Sequence, residues 1–213
     1  MTTRTRRRGF LTALTALAAS AALVMGGSPA SAQTTNVDYD ANGTTTIASN
    51  GSTITLGPAV MNSRVETDGT FTGDMALPGA HTSFKVIGFV PVSANVNFEP
   101  VGPTTGVLVR AGRFRTLESE SQYYVRLSNI KVAGIPTLAG SNCRTADPVI
   151  VPADTPAGEY FDIAAGGRLV GEYSIGNFKS CGLLGAQTHL INALIPGGGN
   201  TIELNLTDGR AVN

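Results

Sequence analysis

Tryptophan is absent from this 213-residue chain, and histidine, cysteine and lysine number only two, two and three. Each scarcity removes a class of function. A sugar-binding face usually stacks its ligand on aromatic rings, and aromatic residues make up only 6% of the chain. His81 and His189 are the only histidines and are far from metal-ligand spacing, which removes a histidine-based zinc hydrolase. His81 follows Pro78, Gly79 and Ala80, a turn signal, and His189 falls on the polar side of a helical pattern, so both read as surface residues. No G-x-S-x-G elbow occurs; in Gly171–Gly176 the serine, Ser174, stands one place late and inside a strand pattern. Lys85, Lys131 and Lys179 are too few to neutralise a phosphate backbone, so nucleic acid is not an expected partner.

Cys143 and Cys181 form no C-x-x-C pair and have no adjacent base, which argues against redox chemistry. In an exported chain they predict one disulfide. It closes a loop of about 39 residues, for which chain entropy gives roughly 4 kcal/mol of stabilisation.

Long apolar runs are also missing, with one exception. Arg4, Arg6, Arg7 and Arg8 precede an apolar stretch from Leu11 to Met25, and Ala30, Ser31 and Ala32 provide small residues for a peptidase. The run is too short to cross about 30 Å of hydrocarbon. Residues 1–32 therefore read as a cleavable signal peptide, and Arg7–Leu11 fits the twin-arginine pattern. Removing them leaves 181 residues with 11 basic and 15 acidic side chains, a net charge of −4. The expected location is extracellular, free in the medium or held at the cell envelope, with no transmembrane anchor in the mature chain.

What is present is strand and turn. With 26 Gly and 11 Pro the chain suits short strands joined by many turns. Ile202, Leu204 and Leu206 alternate with Thr201, Glu203, Asn205 and Thr207, the pattern of a half-buried strand. Thr82–Val90 reads as a strand covered on both faces. In Tyr123–Val132 the apolar parity switches near Ser128 and Asn129, which predicts a β-bulge or a crossing between sheets. One helix is expected: Leu183, Leu190, Ile191 and Leu194 share a helical face that ends at Pro196. Pro148–Gly158 and Pro196–Gly199 read as loops.

A short pattern occurs twice. Gly69, Phe71, Gly73, Asp74, Met75 and Leu77 match Gly167, Leu169, Gly171, Glu172, Tyr173 and Ile175. Farther on, Phe89–Pro91 with Asn95 matches Leu194–Pro196 with Asn200. The expectation is an all-β domain over 33–213: an antiparallel β-sandwich of two related halves, about 44–132 and 140–213, with one short helix near the C-terminus.

Three clusters could carry chemistry. Asp74 and Glu172 stand at equivalent places in the repeat and could converge as an acid pair, against the plainer reading of two outward-facing carboxylates. Asp38, Asp40, Asn42 and Gly43 reproduce the opening of a D-x-D-x-N-G calcium loop. The twelfth place is Ser49 rather than a bidentate Glu, so an EF-hand is excluded and a weaker calcium site remains, against a simple Asn-Gly turn. Arg110, Arg113 and Arg115 surround the turn at Gly112 and read as a charged hairpin tip. No cofactor is expected.

The segments Tyr124–Val132, Gly140–Thr145, Gly167–Ile175, Phe178–Gly182 and Ile195–Ile202 together resemble an uncharacterised family of secreted actinobacterial proteins with no established activity. The resemblance implies a β-rich exported domain and transfers no catalytic residue. The function expected is an exported, non-catalytic protein with a binding or structural role at the cell surface or in the medium. A carrier of a small apolar ligand between sheets is the alternative, and an acid-pair hydrolase stands behind it.

Overall fold

The computed structural model describes residues 34–86, 89–138, 140–185 and 187–212; the expected signal peptide lies outside them. The described chain is all-β, with thirteen strands in one antiparallel sheet. The long strands are β1 (Thr35–Ile47), β2 (Ser52–Val65), β5 (Val90–Pro100), β7 (Phe114–Val132), β11 (Gly166–Ile175) and β13 (Gly197–Val212). Between them lie β3 (Thr70–Met75), β4 (Ala80–Val86) and β6 (Thr104–Ala111). Four are very short: β8 (Ile135–Pro136), β9 (Cys143–Thr145), β10 (Val149–Pro152) and β12 (Phe178–Lys179). No described helix is long and apolar enough to cross a membrane.

Strand neighbours run β11-β13-β1-β2-β3-β6-β7-β5-β4. The path also closes on itself. Ala153 N–H donates to Ser119 O and Thr155 N–H to Leu117 O, so the segment after β10 lies along β7. On its other side Asp154 and Val170 exchange both backbone bonds, which joins it to β11. The Pro-rich stretch 148–158, which reads as a loop, is thus the staple that turns seven strands into a ring. Gly171 lets it approach: a Cβ there would sit 1.8 Å from the Pro152 carbonyl oxygen.

Period-two alternation fills this ring. Val37, Tyr39 and Ala41 point inward from β1, and Leu204 and Leu206 from β13, meeting Met61, Phe71 and Leu169 in one core. Tyr39 stacks edge-on against Phe161, with ring centroids 5.7 Å apart, and its hydroxyl donates to Ile163 O at 2.7 Å. Burial, with Asp162 nearby, pushes the Tyr39 phenol up to about 12.

A second core lies along the other halves of the long strands. Ile47, Ile54, Val92, Val96, Leu127 and Ile130 pack there beside the buried Cys143–Cys181 disulfide, which forms as expected. β7 serves both cores. It pairs with β6 over 114–120 and with β5 over 123–132, and Asn129, at φ 50, marks a register shift opposite Ser93 and Asn95. That is the parity switch visible in the sequence.

The strands belong to a single hydrogen-bonded sheet, so the pairing alone does not divide them into the two facing sheets of a sandwich. Three expectations need correction. Strand Thr82–Val90 is instead the β4–β5 hairpin, with Val86 paired to Val90. The helix covers only Thr188–Asn192, because Leu184 at φ 53 and Gly185 at φ 76 cannot continue it toward its N-terminus. The repeat has no counterpart in the pairing: β11 lies beside β13, whereas β3 and β5 are separated by β6 and β7. Its shared glycines also serve different ends, Gly73 making room for the Met61 methyl and Gly171 for a backbone carbonyl.

Candidate functional site

Asp74 and Glu172 do not converge, in line with the plainer reading of two outward-facing carboxylates. Asp74 and Glu172 are both exposed, and their strands lie on opposite sides of the ring, with β2, β1 and β13 between them one way and β6, β7 and the closing segment the other. They are also at different heights. Asp74 is level with Asp38 through Asn62, and Glu172 with Thr46 through Thr201. The offset along β1 is about 26 Å at ~3.3 Å per residue. No single substrate bond can lie between two such groups.

The calcium-loop residues occupy a strand rather than a loop. Asp38, Asp40 and Asn42 project from the outer face of β1. Asp40 is held by Arg210 through two bonds of 2.7 and 3.0 Å, and Asp38 accepts from Asn62 Nδ2 at 2.9 Å. The Arg210 guanidinium holds the Asp40 carboxyl below the usual carboxylate range. Extended backbone splays alternate side chains along a line, whereas a calcium loop curls them round a point. Gly43 sits mid-strand because a Cβ there would meet Glu203 O at 2.2 Å.

Both histidines are exposed; His81 Nδ1 lies 2.9 Å from Asn95 Oδ1 across the β4–β5 hairpin, and His189 is on α1 (Thr188–Asn192). Arg110 and Arg115 pair across the β6–β7 hairpin, as the sequence suggests.

An apolar cavity of about 40 Å³ lies in the second core, bounded by Ile54, Phe84, Val96 and Ile130 and roofed by Ile191 and Ile195. Thr82 also lines it, is 6% exposed, and has a buried hydroxyl with no hydrogen-bond partner. The space is small beside the ~150 Å³ apolar cavity known to take benzene.

The larger feature is the outer end of that same core, which sequence patterning does not reveal. Here the β4–β5 and β7–β8 hairpin tips meet, tied by Ala133 N–H to Pro91 O. The β1–β2 turn is tied to the segment after α1, where Ser49 Oγ donates to Leu194 O and Ile195 O, and the disulfide links the chain at Cys143 to Cys181. Leu184 is 100% exposed, Leu138 78%, Phe89 73% and Ile135 71%; elsewhere among the described residues the highest exposure of a large apolar side chain is 52%, at Phe114. Leu138 and Leu184 border one shallow groove. Phe114, at the opposite end, stacks on Tyr160 at 4.0 Å and so is partly satisfied. The signal in the sequence is only that these residues fall in turns, where apolar side chains have no core to enter.

Comparison with family models, with curated proteins and with solved structures gives no match to this chain.

Proposed function

We propose that this is an exported, non-catalytic protein that binds a partner at the cell surface through the disulfide end of its sheet. The observation that carries the reading is the gathering of the four most exposed large apolar side chains on adjoining turns of one end. Several large apolar side chains exposed at one end are costly in water, and such exposure marks interaction sites when rimmed by polar groups. The reading is supported by the use made of polar groups elsewhere, where carboxylates are committed to arginines in pairs such as Arg210–Asp40 and Arg168–Glu203. The carrier reading has one observation of its own, the unpartnered Thr82 hydroxyl beside the cavity, and too little space to develop it.

The test is binding of the purified protein, residues 33–213, to isolated cell envelopes. Replacing Phe89, Leu138 and Leu184 together by serine is expected to abolish retention while leaving the thermal midpoint unchanged. Retention unaffected by that triple change would remove the proposed surface. Turnover of ester, peptide or glycoside substrates that Asp74→Asn abolishes would remove the non-catalytic reading.

A further inference from the structure

The lysines extend that reading to a partner class. All three lysines of the chain lie at the apolar end. Lys85 is opposite Pro91, next to the Phe89 turn; Lys131 is opposite Ser93 and Pro136, next to Ile135; Lys179 pairs with Arg144 beside the disulfide. Among the described residues every ion pair is made by arginine and none by lysine. Lys179 Nζ instead donates to the Ala146 carbonyl.

Carboxylates are sparse in the same region. The described segments that build this end, 43–56, 80–86, 89–98, 127–138, 140–146, 174–185 and 187–202, contain no Asp or Glu, although the chain has 15; Glu203 and Glu172 border them, level with Thr44 and Thr46. Glu99 and Asp147 flank them, and Glu99 is taken up by Arg126 and Arg144. Most of the other acids lie on the ring, among them Glu66 and Asp68 at the β2–β3 turn, Glu159 and Asp162 just after the closing segment, and Asp208 near the end of β13. A chain that is acidic after removal of residues 1–32 thus presents one end that is cationic and apolar together. An acidic protein partner would complement the charge but gives no reason for large apolar side chains to stand apart on separate tips. A lipid surface accommodates both, since tips enter the headgroup region independently and lysine stems reach phosphates at its edge.

We infer that this end docks on an anionic lipid bilayer, with Phe89, Ile135, Leu138 and Leu184 entering the headgroup boundary and Lys85, Lys131 and Lys179 against lipid phosphates. The inference rests on the binding role proposed above. It assigns the hairpin tips as the penetrating element and the disulfide as the tie that holds the Leu138 and Leu184 loops side by side.

The experiment uses residues 33–213, which carry every described strand, with vesicles of phosphatidylcholine alone or mixed with phosphatidylglycerol. The protein is expected to sediment with the anionic vesicles and weakly with the neutral ones. Converting the three lysines to glutamine should weaken the anionic binding roughly 100-fold, about fivefold for each charge. Because the chain has no tryptophan, Phe89→Trp supplies a single reporter whose emission should shift to the blue on anionic vesicles. Equal binding to both vesicle types, or an indole emission that does not move in the Phe89→Trp variant, overturns the inference. So does dimerisation through this face, seen as a sedimentation coefficient that falls with Leu138→Ser and Leu184→Ser, or capture by a soluble polyanion in preference to vesicles. Retention on envelopes without binding to vesicles would leave the proposed function standing and remove only the lipid.

Discussion

At the ring end, long ladders run from β11 through β13, β1 and β2, broken only by single register shifts, and several exposed carboxylates are matched to arginines or backbone donors. At the disulfide end the strands β8, β9 and β12 have only two or three residues, the lysines make no ion pair among the described residues, and apolar side chains stand in water. Both ends pack an apolar core of similar make-up, so hydrophobic burial does not distinguish them. What differs is how the covering segments are held. The ring end uses many weak cooperative bonds, and the other end uses one covalent tie with few ladder bonds around it. A surface freed from making ladder bonds is free to carry residues chosen for contact.

If that contrast holds, removing the covalent tie should have the largest effect. Replacing Cys143 and Cys181 by alanine is expected to cost about 4 kcal/mol in urea unfolding. Hydrogen exchange should accelerate first in 178–195 while ring amides such as Val170 stay protected. Comparable acceleration at both ends would erase the distinction.

Gly171→Ala attacks the opposite end. The new methyl would collide with the Pro152 carbonyl, and we expect a loss of about 2–3 kcal/mol, the scale of an overpacked interior. Here the exchange pattern should reverse, with Asp154 and Val170 losing protection and the disulfide end keeping it. An unchanged melting temperature would mean that 153–155 is not needed to close the ring.

Thr82→Val has a smaller effect of opposite sign. Replacing the unpartnered hydroxyl by a methyl of similar shape should stabilise the second core by about 1 kcal/mol, read from the denaturation midpoint. Destabilisation would show that the hydroxyl has a bound partner and would revive the carrier reading.

The smallest effects are those of pH. Arg210 lowers the Asp40 pKa, Thr70 lowers that of Asp68, backbone N–H groups of Ala165 and Ala164 lower that of Asp162, and Arg168 lowers that of Glu203. A carboxylate with a depressed folded pKa contributes stability above its unfolded value and loses it as pH falls through the folded one. All four belong to the ring strands and their turns, so acid should loosen that end first, by exchange measured below the ordinary carboxylate range. Tyr39 works in the opposite direction. Its phenol is raised to about 12, so the ring loses stability as pH climbs from about 10 toward that value.

Much of the fold was legible because it depends on local alternation. The half-buried pattern of Ile202–Leu206, the bulge at Asn129 and the Cys143–Cys181 bond all follow from residue order and appear in place. The failures share a cause. The repeat compares Gly73 with Gly171, yet what each glycine admits depends on which segment lies across from it, Met61 or Pro152. Likewise Asp38, Asp40 and Asn42 have calcium-loop spacing, but pairing with β2 and β13 holds them straight. The proposed site was hidden for a related reason. Phe89, Leu138 and Leu184 are remote in sequence and become a surface only when hairpin tips meet, and three lysines acquire meaning only when the distribution of 15 acids over the fold is known.

One pairing bears on how the molecule comes into being. β1, the first described strand, takes one neighbour from the adjacent hairpin and the other from β13, the last, with Thr46 opposite Thr201 and Asn36 opposite Val212. A growing or threading chain cannot satisfy that edge until β13 has arrived, so the sheet is completed only after every other described strand has been delivered. Until then β1 and β11 expose open hydrogen-bonding edges, the state most prone to pair with another chain, and such long-range closure is intrinsically slow. Assembly of this sheet therefore waits on β13.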